Sequence, residues 1–338
     1  MGRAGSKAAT IVDVAVLAGV SKSAASLALR GTGYVSEVKR RAVLDAAAEL
    51  GYRPNAAARA MGAQRSGIVG LILDDLRNPW FVPAVEGLSA GLHGEGLRPL
   101  LGDWRLEGAP LVERFLELRV EGIVLVGTLD GAEPALIGVA PVPVVQVGSP
   151  RAQAPGAAVV TNDDAEGARR VVRHLAALGH RNIAHLGAPG TAVGDARRAG
   201  FEEEARRLGL AHRTVAAGLT EDAGYRAGLA LLEAPDRPTA VFAVNDMAAL
   251  GAFSAAEELG LSVPDDVSLA GYDDTPTARL RTVGLTSVDN ASGEAGRVAA
   301  GLLAKAIAAG PESVTDAVLL EPELKARGST APPPAVVR

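Results

Sequence analysis

The sequence predicts an α/β chain in two parts: a small all-helical unit over residues 1–52 and, from residue 67 onward, two doubly wound α/β lobes. Three observations carry this. Residues 10–52 keep helical spacing with no strand signal; from residue 68 short apolar runs alternate with amphipathic stretches; and about ten such runs exceed what one sheet comfortably holds, so two lobes fit better than one.

The first helix starts at Thr10, which with Asp13 three residues on has the pattern of a capping box, and Gly19 can end it in a left-handed turn. Ser21 can cap a second helix. On it Ala25, Ala28 and Leu29 make an inward stripe, while Lys22, Ser23, Ser26 and Arg30 share a small, polar, basic outer face. Ser36 starts a third helix, with Ala42, Val43, Ala46, Ala47 and Leu50 at helical spacing before Gly51 stops it. Residues 53–66 then read as a short hinge. Pro54 suits a first helical turn and Ala56, Ala57, Ala58 and Ala60 favour helix, but about eight residues are too few to stay helical alone in water.

Strands are expected at residues 68–76, 120–128, 143–149, 182–189, 239–246 and 267–274, all short continuous apolar runs of the kind buried on both faces of a parallel sheet. Several end in polar residues: Asp74 and Asp75, Asn245 and Asp246, Asp273 and Asp274. Ligands of open α/β folds bind outside the carboxyl ends of the strands, so these ends are expected to line a cleft.

Composition bounds the function. Cysteine is absent, which removes disulfides, thiolate metal sites and cysteine nucleophiles and fits a reducing compartment. No apolar run approaches the roughly 18–20 residues of a membrane span. Residues 1–66 carry ten Lys and Arg against four Asp and Glu; the whole chain is −5, leaving −11 for residues 67–338. A basic head on an acidic body points to a polyanion partner for the head, the other reading being a merely solvated basic surface. The stretch 9–31 has two readings of its own, a secretory signal or a DNA-reading helix pair. Asp13 and Lys22 interrupt the apolar run a signal needs, and small polar and basic side chains at the start of the second helix can reach base edges in the major groove. Among catalytic motifs, the phosphate loop, His-Glu-x-x-His and the dinucleotide glycine pattern are all missing, and the five histidines show no ligand spacing. Neither a cofactor nor a metal is expected.

"TIVDVAVLAGVS" (10–21), "GYVSEVKRRAVLDAAAELGYRPNAAARAM" (33–61), "NPWF" (78–81), "HLAALGHRNIAHLG" (174–187), "RPTAVFAVNDMAALGA" (237–252) and "VPDDVSLAGYDD" (263–274) resemble, in order and spacing, the lactose-repressor (LacI/GalR) family of bacterial transcription regulators. The resemblance runs from about residue 10 to about residue 332. It implies a helix-turn-helix headpiece at 1–52, a hinge helix and linker at 53–66, and an effector-binding domain at 67–338 like the periplasmic sugar-binding proteins. Its N-lobe would take about 67–161 and 291–320, its C-lobe about 162–290 and 321–338. The implied activity is not enzymatic. A cytoplasmic homodimer would bind a double-stranded, pseudo-palindromic DNA operator as a repressor, in answer to a small sugar or related polyol.

Carried over residue by residue, the DNA contacts would be Thr10, Ser21, Lys22, Ser23, Ser26, Leu27, Arg30, Asn55, Arg59 and Met61, the last as an apolar wedge in a minor-groove base step. The effector would meet Trp80 and Phe81 as an apolar wall, Arg197 as a hydrogen-bond fork, and Asp163, Asn245, Asp246, Asp273 and Asn290 as polar anchors. Carboxylates and amides suit paired hydroxyls, and an aromatic face suits a sugar's C–H surface. Asp273 also reads as a cap for a following helix, and Trp80 as plain core. Two departures stand out. Ala24-Ala25-Ser26 and Arg30 replace the family's common Thr-Val-Ser and Asn, and Gly148-Ser149 replaces a common Asp-Arg. The first implies an unusual operator preference and the second removes a sugar contact. A sugar-binding transport component, which would leave residues 1–66 without a purpose, and an enzyme on the same scaffold are the alternatives.

Overall fold

The computed structural model describes residues 9–31, 33–53, 65–129, 136, 142–152, 154, 156–314 and 317–334. The expectations for Asn55, Arg59 and Met61 lie outside these residues. The chain divides into two compact units, residues 1–66 and 67–338.

In the first unit, α1 (Ile11–Leu17), α2 (Lys22–Arg30) and α3 (Glu37–Glu49) enclose a core of Val14, Ala15, Ala25, Ala28, Val43, Ala46 and Ala47. The capping box is complete: the Asp13 amide donates to the Thr10 hydroxyl at 3.4 Å, and the Thr10 amide to the Asp13 carboxylate at 2.7 Å. Gly19, with φ +63°, turns the chain out of α1, and the Ser21 hydroxyl accepts from the Ala24 amide at 3.2 Å to start α2. Ser36 starts α3 without a side-chain cap bond. Leu50, placed inward by the spacing, is exposed because it sits at the C-cap, past the last helical turn.

The second unit holds two six-stranded sheets. The first has the order β11-β5-β4-β3-β1-β2, built from β1 (Ile68–Leu73), β2 (Arg98–Asp103), β3 (Gly122–Val126), β4 (Val144–Val147), β5 (Ala158–Asn162) and β11 (Ala317–Leu320), all parallel. The second has the order β12-β10-β9-β8-β6-β7, from β6 (Asn182–Gly187), β7 (Ala211–Ala216), β8 (Ala240–Ala243), β9 (Ser268–Tyr272), β10 (Thr286–Asp289) and β12 (Glu323–Lys325), of which only β12 runs antiparallel. All six expected strands are present, each shorter than its expected range.

Helices cover both faces of each sheet, as buried parallel strands require. On the first, α4 (Phe81–Gly94) and α11 (Ser292–Ala309) pack on one face, while α5 (Trp104–Glu107) and α6 (Ala109–Glu117) follow β2, with α6 packing on the other. On the second, α9 (Glu221–Glu233) and α10 (Asp246–Glu258) pack on one face and α7 (Asp164–Ala177) and α8 (Ala192–Arg207) on the other. Helix pairs cross where glycine removes a side chain. A Cβ on Gly251 would lie 2.0 Å from the Glu221 carbonyl oxygen, and one on Gly224 2.2 Å from that of Ala248.

His185 on β6 lies fully buried between the Phe201 and Phe242 rings, at centroid distances of 5.2 and 4.8 Å. Its Nδ1 pairs with the Phe242 carbonyl at 2.9 Å. Burial pushes its pKa down to about 4, aided by the charges of Arg197 and Arg198 and opposed by the Phe242 bond.

Two predictions follow from this packing. Gly251→Val is expected to cost roughly 1–3 kcal/mol by overpacking the α9–α10 crossing, read as a lower urea midpoint with unchanged slope. His185→Phe is expected to remove a pH dependence. An unfolded imidazole takes a proton below about 6.5 and the folded one only below about 4, so the unfolded state binds more protons between these values and stability falls as pH falls. Urea melts at pH 6.5 and 4 are expected to show the variant losing about 3 kcal/mol less than the parent across that window; equal losses would contradict it.

Candidate functional site

In the second unit the carboxyl ends of strands from both sheets face one another across a cavity of about 150 Å³. Its centre is Arg197 on α8, a fully buried guanidinium. Nε donates to Asp164 at 2.8 Å, Nη1 to the Val244 carbonyl at 2.6 Å, and Nη2 lies 3.4 Å from Asp273. The guanidinium carbon sits 3.7 Å from the centroid of the Tyr272 ring, which orients the fork by a cation–π contact. Burial opposes the arginine's charge, but Asp164 and Asp273 outweigh it and hold the pKa above the ordinary value. The carboxyls answer differently. Burial pushes Asp273 well above the carboxylate range, with Arg197 pulling it down and the charges of Asp246 and Asp164 pushing it further up. Asp164 is also raised by burial, against the pull of Arg197. One cation for two buried carboxyls favours keeping a proton in the group.

Two crossover segments carry asparagines to the cavity. Asn162 ends β5 and its amide donates to the Tyr272 hydroxyl at 2.5 Å; Asn290 follows β10 and donates to Asp273 at 3.0 Å, leaving its own Oδ1 buried without a partner among the described residues. Asp273 has φ +105°, so it turns the chain sharply after β9 and directs its carboxyl at Arg197 and Asn290; no helix follows for it to cap. Asn245 caps α10, accepting from the Ala248 amide at 2.8 Å and donating to the Leu219 carbonyl at 3.0 Å.

The apolar wall comes from Trp80 and Phe81 at the start of α4, with ring centroids 5.0 Å apart and edge to face. Trp80 is only 7 % exposed, yet it lines the cavity and its Nε1 has no partner among the described residues. Gly148, with φ +79°, is the reason it fits: a Cβ there would meet the Trp80 ring at 2.3 Å. The aromatic wall thus occupies the space of a side chain at 148.

Among the residues expected from sequence, Trp80, Phe81, Arg197, Asn245, Asp273 and Asn290 line this one cavity. Asp163 and Asp246 do not. Asp163 caps α7 by accepting from the Glu166 amide at 2.8 Å. Asp246 points into the second sheet, accepting from the Ser287 hydroxyl at 2.6 Å and the Thr275 amide at 2.7 Å, and burial lifts its pKa to about 6. Sequence reasoning missed Asp164 and Asn162, which adjoin Asp163, as well as Arg105, Thr128 and Thr220 at the cavity. The only local signal for Asp164 was its place two residues past a strand end.

In the first unit, Lys22 and Ser23 are exposed on the first turn of α2. Arg30 folds back on Ser26, its guanidinium donating to the Ser26 hydroxyl at 2.6 Å. Thr10 and Ser21 spend their hydroxyls as caps, and Leu27 is half-buried, its methyl 3.2 Å from where a Cβ on Gly33 would stand. Tyr34, which the pattern did not single out, is 97 % exposed beside them in sequence.

The profile of the bacterial regulatory proteins of the lacI family matches residues 10–55, and that of the periplasmic binding protein-like domain matches residues 172–330. The HTH-type transcriptional repressor PurR of Escherichia coli O139:H28 is 34% identical over 305 residues, covering 87% of this chain and 89% of the relative. Among solved structures, the lac repressor dimer bound to operator and an anti-inducer superposes with a TM-score of 0.81 at 26% identity, over 96% of this chain and 100% of that one. The transcriptional regulator CelR in complex with cellobiose has a TM-score of 0.71 at 30% identity, over 95% and 99% of the two chains.

Arg197→Met is expected to destabilise the protein by roughly 3–5 kcal/mol, because it strands Asp164 and Asp273 in a buried site. With both folded-state pKa values raised, stability is greatest at low pH and is lost as pH rises, so the deficit against the parent is expected to shrink between pH 7 and 5 in urea melts. A deficit independent of pH would show that the carboxyls do not depend on this arginine.

Proposed function

The chain belongs to the LacI family of bacterial regulatory proteins, and we propose that its affinity for a DNA operator is set by an uncharged polyhydroxylated effector held between the two lobes. The single observation that carries the effector site is the closed set of Arg197, Asp273, Asn290 and Trp80 at the strand ends. It leaves one acceptor, Asn290 Oδ1, and one donor, Trp80 Nε1, buried and without partners among the described residues. A hydroxyl both donates and accepts, so a polyol satisfies them together. An anionic effector is disfavoured, because both arginines at the cavity are already paired, Arg197 with Asp164 and Asp273, and Arg105 with Asp75. The cellobiose of the CelR neighbour supports a sugar as the class.

The N-terminal headpiece reads DNA through the exposed start of α2, with Lys22 and Ser23 reaching the major groove and the cap amides and helix dipole facing phosphate. Residues 53–66 couple headpiece to effector domain. Two copies act on a pseudo-palindromic site, as in the operator-bound lac repressor dimer. Effector binding biases the angle between the lobes. The DNA-competent arrangement gains or loses population by the differential affinity of the effector for the two states.

Anisotropy titrations on a selected operator test this. Lys22→Ala is expected to weaken binding about tenfold and to lower the log–log salt slope by about one unit. Asp273→Asn is expected to keep operator affinity while raising the effector concentration needed for the response about tenfold or more, since the site hydrogen-bonds its ligand through this carboxyl. An unchanged response in Asp273→Asn would move the effector site elsewhere.

A further inference from the structure

The cavity does not end at its mouth. A second hollow of about 230 Å³ adjoins it, and the two share Asp75, Asn78, Leu219 and Thr220 as a common seam. Small-molecule sites usually span about 300–1,000 Å³. The inner chamber, at about 150 Å³, falls short alone, and the two together reach that range. On its inner side it is closed by Arg197, Asp273 and Asn290, all buried, and the Trp80 ring fills the space beside Gly148. A ligand seated there can lengthen outward past the seam.

The seam is already fixed in place. Asn245 holds the Leu219 carbonyl at 3.0 Å, the Thr220 hydroxyl accepts from the Ala223 amide at 3.3 Å, and Asn78 Oδ1 accepts from the Trp80 amide at 3.0 Å. Arg77 grips both oxygens of Asp75, at 2.9 and 2.5 Å. Beyond the seam, Leu219 and Met247 supply an apolar surface with Asp75, Arg77, Glu221 and Asp222 around it. An apolar floor with a polar rim matches the C–H face and hydroxyl edge of a sugar ring. The arginine there is neutralised by Asp75, so the unit that fits carries no negative charge.

On the reading of the cleft as an effector site, we propose that the effector is longer than one sugar ring: a disaccharide or glycoside whose first unit fills the inner chamber and whose second unit packs on Leu219 and Met247.

Calorimetric titration of the full-length protein tests it with a panel of glucose, galactose, mannose, xylose and ribose and the disaccharides cellobiose, maltose, lactose, trehalose, melibiose, mannobiose and xylobiose. The tightest ligand is expected to be a disaccharide, about tenfold or more tighter than its component monosaccharides, as the added apolar contact implies. In Met247→Trp, which fills the outer chamber, the ratio of disaccharide to monosaccharide affinity is expected to fall toward one; Met247→Glu reads the same ratio if the tryptophan variant does not fold. A monosaccharide as tightest ligand, or a ratio unmoved by either variant, overturns the second unit and leaves the effector site standing. Binding of no sugar in the panel overturns both.

Discussion

A buried guanidinium without carboxylates would be prohibitively costly, and this constraint organises the second unit. Arg197 reaches Asp164 at the start of α7, Val244 at the end of β8 and Asp273 after β9, and lies on the Tyr272 ring. Each partner belongs to a different element, so the ion group ties the ends of β5, β8 and β9 to α8 at one point. Its charges are desolvated, and removing the arginine leaves both carboxyls uncompensated. The same group forms the floor of the cavity. Fold stability and the shape of the cavity floor therefore depend on the same atoms.

Close helix contact supplies the rigid frame around that point. At the α9–α10 crossing Gly224 and Gly251 let each helix rest on the other's backbone, and at the α4–α11 crossing Gly87 and Gly296 do the same, with a Cβ on Gly87 falling 2.1 Å from the Gly293 carbonyl oxygen. Because α10 begins with Asn245 and α9 with the Thr220 cap, the approach of these two helices also sets the position of the Leu219–Thr220 seam. In this way small residues outside the cavity lining hold the helices that carry it.

Legibility in the sequence followed the length of the apolar run more than burial. The strands found from apolar runs, β1, β3, β4, β6, β8 and β9, are buried along nearly their whole length. Those not anticipated include β2, β7 and β12, which are edges whose apolar residues are interrupted by polar ones, and β5 and β11, whose apolar runs are only three and four residues long. β10 is buried but polar. It tolerates this because Ser287 bonds Asp246 and the Asp274 amide, and Thr286 bonds Ser329 and Arg327. None of these partners is adjacent in sequence, so no local pattern could announce the strand.

Residues 10–52 show what the sequence alone determined: caps at Thr10 and Ser21, the turn at Gly19, the inward stripe of Ala25 and Ala28 and the basic outer face all come from contacts within about four residues along the chain. The alternation of inner strands and helices, and with it the two-lobed α/β class, was legible for the same reason. Which carboxylates face the cavity was not. Asp163 and Asp164 are neighbours, yet one caps a helix and the other holds Arg197; Asn245 and Asp246 are neighbours, yet one lines the cavity and the other is locked to Ser287. The outcome rests on pairings across 33, 41 and 110 positions of sequence, Asp164 with Arg197, Asp246 with Ser287 and Asn162 with Tyr272. Only the tertiary structure brings such groups within bonding distance, because the burial that makes each charge need its partner exists only once both sheets have formed.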